Sequence, residues 1–166
     1  MEKYRFRRYD PIYKTFFRIE KKKLIASLGL GVEIEHVGST AVSGLGGKGI
    51  LDIAIGTGDS GIDATKDRLR GLGYEFRREA STEKRLFFRR DYEYKRDVRR
   101  VHVHLTRLNG NDWKEMVSFR DYLLENKEAA AEYSRVKRNA VKVAKGDGKT
   151  YRKEKEEFIR KFMDRK

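Results

Sequence analysis

A glycine-rich stretch between two apolar segments carries many of the side chains that could do chemistry. It reads EHVGSTAVSGLGGKGILDIAIG and runs from Glu35 to Gly56. Gly38, Ser39 and Thr40 end the first apolar segment. A turn of this kind at the start of a helix exposes backbone N–H groups and hydroxyls, which bind phosphate. The alternative is a glycine bend that caps a helix and has no ligand.

The second apolar segment, ILDIAI, places one carboxylate, Asp52, among apolar neighbours. A carboxylate beside bound phosphates can hold Mg²⁺, because that ion prefers oxygen ligands from protein and substrate together. A buried, hydrogen-bonded aspartate without a metal is the other interpretation. Lys48 precedes this segment and could reach a phosphate, but Gly49 follows it, so the stretch is not a Walker A loop.

The histidines give a second possible group of ligands. His36, His102 and His104 are the three histidines of the chain. His102 and His104 alternate with valines in RRVHVHLT, so both face one side of a predicted strand. Two such imidazoles can share a metal, for which Zn²⁺, Mn²⁺ or Ni²⁺ suits imidazole better than Mg²⁺, or bind phosphate when protonated. The alternative is that they only satisfy local hydrogen bonds.

The surrounding pattern predicts one α+β domain over residues 1–166, a small mixed sheet flanked by helices. The expected helices cover about 12–28, 62–72, 112–126, 128–144 and 151–166, with Asp59 or Ser60 and Asp112 as caps. The expected strands cover about 32–37, 50–55, 74–76, 85–90 and 99–106, and DYEYKRD is interpreted as a long hairpin connection. The helical C-terminal part, about 112–166, is expected to pack back on the sheet.

Composition restricts the partners. The 40 basic residues exceed the 26 acidic ones, a formal net charge of +14, which favours nucleotides, RNA or DNA as partners. Ion-pair networks of a heat-stable protein could explain the charge content but not the excess. The absence of cysteine excludes thiolate catalysis and cysteine zinc sites. No apolar run is long enough to span a membrane, so we expect a cytoplasmic protein without a membrane partner; its oligomeric state stays open.

With His36, the Gly38–Thr40 turn, Lys48 and Asp52 at these spacings and the His102–His104 pair later in the sequence, the chain resembles the GrpB-like family of the nucleotidyltransferase superfamily. Its core matches the family pattern H-x-GST-x-V-x-G-L-x-x-K-x-x-x-D from His36 to Asp52. The resemblance extends over nearly the whole chain. Further matching positions are Tyr9 to Pro11, His102, His104, Trp113, Phe119 to Leu123, Tyr133, Lys137, Tyr151, Lys155 and Phe158.

The resemblance implies a nucleotidyltransferase fold, with the Gly-Ser turn at the substrate phosphates and catalytic carboxylates on the next strand. In active members a carboxylate pair and a third carboxylate hold two metal ions for attack on a nucleotide phosphate. Here the first position is Asp52, but the second is Ala54, and the later strand offers His102 and His104. The usual pair is therefore broken.

Three functions follow as hypotheses. The first is an enzyme that transfers a nucleotidyl or other phosphate-bearing group, with Asp52, His102 and His104 as catalytic residues and ligands of a divalent metal (Mg, Mn or Zn). The second is an inactive module that binds a nucleotide or other phosphorylated small molecule, and the third is an RNA- or DNA-binding protein. The expected phosphate-binding residues are His36, Gly38, Ser39, Thr40, Lys48, Lys137 and Lys155. Solvated surface lysines are the alternative for the last three.

Overall fold

A five-stranded mixed sheet forms the centre of the protein, in a computed structural model that describes residues 5–165. Residues 1–4 and Lys166 lie outside the described part, so the predicted domain is described only between these limits. The strands are β1 (Glu33–Val37), β2 (Leu51–Thr57), β3 (Glu75–Phe76), β4 (Arg85–Tyr94) and β5 (Asp97–Arg107). Their order is β1-β2-β5-β4-β3; β2 and β5 pair in parallel and the other pairs are antiparallel.

Five α-helices and three short 3₁₀ turns complete the described fold. The helices are α1 (Ile12–Leu28), α2 (Ile62–Gly71), α3 (Asn111–Glu125), α4 (Lys127–Ala144) and α5 (Gly148–Met163). The 3₁₀ turns are Ser39–Ala41, Asp59–Gly61 and Arg78–Ala80. The predicted α+β class and helical C-terminal part are confirmed. Within residues 5–165, none of the helices is both long and apolar enough to cross a membrane.

One face of the sheet packs against α1 and α2 and forms the main core. The alternation predicted for the two central strands is seen there: Leu51, Ile53 and Ile55 of β2 are fully buried, as is Val103 of β5. Leu24 of α1 and Leu69 of α2 belong to the same cluster. Alternate side chains of these strands thus point into this core. The other set, which includes Asp52, points to the opposite face.

The opposite face is covered by α3 and, through it, by α4 and α5. Trp113 of α3 packs against Val37 and Ala54. Arg120 of α3 donates to the carboxylate of Glu35 and, at 3.0 Å, to the carbonyl oxygen of His36, so it joins this helix to β1. Aromatic contacts then connect the three C-terminal helices to one another. The rings of Phe119 and Tyr133 lie 5.3 Å apart and those of Tyr133 and Phe158 lie 4.9 Å apart.

Several element ends differ from the prediction. The predicted cap Asp112 lies inside α3, which follows Gly110 and has no side-chain cap, and Asp59 and Ser60 form a 3₁₀ turn before α2. The last helix begins earlier than Tyr151, because Asp147 accepts hydrogen bonds from the backbone of Lys149 and Thr150.

The predicted DYEYKRD connection is also wrong, since β4 continues to Tyr94 and β5 begins at Asp97. The polar pairs across this ladder explain why a charged segment stays extended. Asp91 stands opposite Arg100 and accepts from its guanidinium at 2.7 and 2.9 Å. Opposite charges directly across an antiparallel pair stabilise it.

His36 points into the main core rather than toward Asp52. Its ring stacks on Phe17 of α1 with 4.8 Å between centroids, and its Nε2 lies 2.9 Å from the hydroxyl of Thr40. Thr40 in turn donates to the carbonyl of Ile50 at 3.2 Å. Burial lowers the pKa of His36 from 6.5 to about 4, so this imidazole is neutral at physiological pH.

This burial predicts an acid-sensitive fold. Between pH 6.5 and 4 the unfolded chain protonates His36 while the folded chain does not, so the free energy of unfolding falls as pH falls through this window. The full slope is about 1.4 kcal/mol per pH unit for one proton. Urea unfolding at pH 7, 5.5 and 4.5 should show that His36→Gln loses less stability than the wild type. Parallel pH curves for the two proteins would contradict the neutral His36.

Candidate phosphate site

The turn after β1 brings the glycine-rich loop against Asp52. Val37, the last residue of β1, is in register with Asp52 of β2. Gly38 then turns the chain with φ 75°, and a Cβ added there would lie 2.6 Å from Asp52 Oδ2. Only glycine allows this close approach without strain. The turn therefore places Ser39 beside the Asp52 carboxylate.

Asp52 contacts both histidines of β5. Parallel pairing puts Asp52 in register with His102 and Ala54 in register with His104, so all four side chains share one face. Asp52 Oδ1 lies 3.5 Å from His102 Nδ1 and 3.3 Å from His104 Nε2. Burial alone would raise the pKa of Asp52, but the two histidines hold it well below its usual value. The carboxylate is therefore ionised at neutral pH.

Lys137 and Ser39 converge on a single glycine. A Cβ at Gly47 would lie 2.4 Å from Ser39 Oγ and 2.5 Å from Lys137 Nζ. Lys137 comes from α4 and is only 4% exposed. An ammonium group rarely sits at such depth unless something compensates its charge.

Lys48 and Lys155 both contact the ring of Tyr151. Their Nζ atoms are 4.7 Å and 5.0 Å from the centroid of Tyr151, which is itself buried. Lys137 makes a similar contact with Tyr133, at 5.2 Å. One loop and two helices thus place three amines close together, and each amine makes a cation–π contact with a tyrosine ring.

Burial lowers the pKa of each lysine. That of Lys48 falls from 10.5 to about 8, with Lys155 as the next cause, and that of Lys137 falls well below its ordinary value. The pKa of Lys155 is lowered too, again mainly by burial. Within residues 5–165, Asp52 is the one carboxylate whose charge favours the protonated form of all three amines. We call Ser39, Lys48, Asp52, Lys137 and Lys155 the lysine site.

Such a group of side chains can take an anion. Three amines face one ionised carboxylate, so their full protonation leaves an excess of positive charge in a poorly solvated place. A bound phosphate would offset that excess and accept charge-assisted hydrogen bonds from the ammonium groups and the Ser39 hydroxyl. The arrangement of charges is thus compatible with an anionic ligand such as phosphate.

The same residues do not fit the two-metal arrangement of active nucleotidyltransferases. Ala54, at the second carboxylate position, is fully buried and packs under Trp113. Trp113 also lies above Gly56, where an added Cβ would come within 2.9 Å of the indole ring. Among the described residues no group of three or more His, Asp or Glu side chains has the arrangement to hold a metal ion. Three amines nearby also disfavour a cation.

The structure brings together most of the residues predicted for the site, but not all. Gly38, Ser39, Lys48, Asp52, His102, His104, Lys137 and Lys155 lie around it. The His36 ring stacks on Phe17 and hydrogen-bonds to Thr40, and Thr40 donates to the carbonyl of Ile50, so both side chains have partners within the fold. Sequence reasoning missed Gly47 as the meeting point, although three glycines around Lys48 were a signal that backbone packs closely there.

The sheet and its Gly-Ser turn define a protein with a nucleotidyltransferase-like fold. The structure of Cid1 in complex with its short product ApU superposes with a TM-score of 0.53 at 14% identity, covering 78% of this chain and 41% of that one. A cytoplasmic RNA terminal U-transferase gives 0.51 at 14% identity, covering 78% and 40%. At these identities the likeness shows the fold alone.

The chain belongs to the GrpB family, whose model, described as GrpB protein, matches residues 3–165. Glutamate-rich protein GrpB of Alkalihalophilus pseudofirmus is 30% identical over 156 residues, covering 92% of this chain and 89% of the relative. A UPF0157 protein of Pseudomonas aeruginosa is 33% identical over 159 residues, covering 94% and 64%. The crystal structure of GrpB from Enterococcus faecalis has a TM-score of 0.75 at 23% identity, covering 96% and 99%.

The packing of Trp113 predicts that the missing carboxylate cannot simply be restored. Ala54→Asp would bury a second charge against the indole ring, so we expect a loss of about 3–5 kcal/mol in unfolding free energy. Ala54→Ser, the matched control, should cost about 1 kcal/mol. Urea unfolding measures both. An Ala54→Asp protein of wild-type stability, with a melting temperature that rises on adding Mg²⁺, would contradict the packing argument.

Proposed function

We propose that this protein binds the phosphate groups of a nucleotide at the lysine site. The observation that carries the proposal is the convergence of Lys137 Nζ and Ser39 Oγ on Gly47, beside Lys48, Lys155 and Asp52. An amine as deeply buried as Lys137 costs free energy when it has no counter-ion. A bound anion would supply that counter-charge.

The nucleotidyltransferase-like fold favours a nucleotide over inorganic phosphate as the ligand. In our proposal the Gly38–Ser39 turn and the lysines hold the phosphates, while Asp52 spaces and orients the amines. The negative charge of Asp52 repels a phosphate, so protonation of the lysines is needed for the phosphate to bind. Binding is therefore coupled to proton uptake by the amines.

Phosphate binding at this site would not require a divalent cation. In the two-metal enzymes the metal ions neutralise phosphate charge. Here the three amines can do so, and the donors around Asp52 do not form a two-metal centre. The divalent metal expected from the sequence remains a prediction, and titration with and without EDTA tests it in the same experiment.

Transfer of a phosphate-bearing group is a second candidate, favoured by the contact between Asp52 and His104. A carboxylate 3.3 Å from an imidazole nitrogen fixes the orientation of the ring. Such an imidazole can take the proton of an acceptor hydroxyl as the hydroxyl oxygen forms a bond to the α-phosphorus of a nucleoside triphosphate and the bond to the leaving pyrophosphate breaks. Release of pyrophosphate from nucleoside triphosphates, lost in His104→Ala, would support transfer; binding without any turnover supports the binding module.

Replacement of Lys137 tests the binding proposal. Lys137→Met removes the buried amine and keeps much of its volume, so ATP should bind about 10- to 100-fold more weakly, as expected for loss of a charged hydrogen bond of about 1.5–3 kcal/mol. Isothermal titration calorimetry in EDTA and in Mg²⁺ measures the affinity.

Lys142→Met is the matched control, because Lys142 is exposed on the same helix. It should bind ATP like the wild type. Lys137→Met should also melt at or above the wild-type temperature, since the buried amine is gone. Unchanged ATP affinity in a folded Lys137→Met protein would defeat the proposal.

A further inference from the structure

A basic cleft opens beside the lysine site, between the N-terminal segment, the glycine-rich loop and the turn that joins β4 to β5. Its volume is about 630 Å³. Its walls carry six cationic side chains, contributed by two separate stretches of the chain. These are Arg5, Arg7, Arg8, Lys95, Arg96 and Arg99.

The acidic residues of the cleft are already engaged in the fold. Asp97 accepts from Arg7 at 2.9 Å and from the backbone of Val98 at 2.8 Å. Asp10 accepts from the backbone of Ile12 at 3.0 Å, at the start of α1. The cleft therefore has two carboxylates and six cations. Of these, Asp97 forms an ion pair with Arg7. The remaining positive charge is turned toward a polyanion.

Aromatic rings alternate with these cations. Tyr94 is 42% exposed at the end of β4, and the guanidinium of Arg99 lies 3.8 Å from its ring centroid. Tyr9 also lines the cleft, whereas the Tyr13 hydroxyl is held by the carbonyl of Gly49 at 2.7 Å. Exposed rings and guanidinium planes are surfaces on which bases stack without regard to sequence.

The cleft leads to the lysine site. Ser39 and Gly47 line the cleft, and a Cβ added at Gly47 would lie 2.5 Å from Lys137 Nζ. Arg7 pairs with Gly47 through two backbone hydrogen bonds of 2.6 and 2.9 Å, which fix the N-terminal wall to the glycine-rich loop. A phosphate at Ser39 would therefore lie in the cleft that these cations line.

We propose that the cleft binds a single-stranded nucleic acid whose terminal phosphate-bearing nucleotide occupies the lysine site. The placement of that end rests on the proposed function, while the cleft itself stands on its own residues. Cations on two facing walls suit a strand that lies between them, and stacking on Tyr94 requires bases that are unpaired. A membrane surface would instead need cations on a flat or convex face.

Fluorescence anisotropy with labelled eight-nucleotide RNA and DNA strands, and with the matching duplex, tests the proposal. We expect the single strands to bind more tightly than ATP and more tightly than the duplex; the RNA and DNA arms identify which source is preferred. Arg8→Gln with Arg96→Gln should weaken single-strand binding at least tenfold. It should also reduce the slope of log affinity against log salt by about 1.4, or about 0.7 per lost phosphate contact.

The control is Arg70→Gln with Arg135→Gln, which removes the same charge from exposed positions outside the cleft. It should bind the strand within about twofold of the wild type, apart from the general effect of net charge. Tyr94→Ala should weaken binding and leave the salt slope unchanged, because stacking releases no counterions. ATP affinity should stay at the wild-type value in the Arg8/Arg96 variant.

The outcomes separate the two proposals. Equal losses in the Arg8/Arg96 and Arg70/Arg135 variants, or a preference for duplex, would overturn the cleft proposal while ATP binding still supported the lysine site. Conversely, strand binding that survives in Lys137→Met together with unchanged ATP affinity would defeat the lysine site and leave the cleft standing. A strand that binds no more tightly than ATP to the wild type also overturns the cleft proposal.

Discussion

The central constraint in this structure is the burial of three lysine amines close to one carboxylate. Lys48, Lys137 and Lys155 come from a loop and two helices, yet they share the charge of Asp52. Burial lowers the pKa of all three, because desolvation disfavours their charged forms. The fold maintains this arrangement through packing that is otherwise well satisfied: Arg120 joins α3 to β1, and the aromatic rings of Tyr133 and Tyr151 support the amines. A bound anion would offset the free-energy cost of burying these amines in their charged forms.

In the proposed function the C-terminal helices contribute to ligand binding as well as to stability. In a two-metal nucleotidyltransferase, carboxylates on adjacent strands collect cations that meet the substrate phosphates. In this chain the position of one such carboxylate is Ala54, and Trp113 covers it. The helices α4 and α5 supply positive charge from the side instead, through Lys137 and Lys155. In the proposed function, sheet and helices contribute to one phosphate site, and in the further proposal the basic cleft beside Ser39 holds the rest of a longer ligand.

Much of the fold could be predicted from the sequence, because alternation on β2 and β5 and the stripes of α1 mark buried faces directly. The family resemblance suggested that His102 and His104 lie near Asp52, but the parallel register that brings them into contact is seen only in the structure. Other features depend on distant packing that local pattern does not encode. His36 is an exception, because alternation from the buried Ile34 already places its ring on the core side; its position in the family motif suggested the site instead, and the ring stacks on Phe17. The extension of β4 through DYEY depends on cross-strand partners such as Arg100, and the depth of Lys137 depends on how α4 meets the glycine-rich loop.

The proton balance of ligand binding tests the central claim most directly. If the buried amines are partly neutral in the free protein and become protonated when a phosphate binds, ATP binding at pH 8 must take up protons, by about one per ligand. Calorimetric titration in EDTA, repeated in two buffers of different ionisation enthalpy, measures this number, and Lys48→Met should reduce it. Uptake that grows from pH 7 to pH 8 is the predicted result. Binding with no proton uptake at either pH would contradict the account.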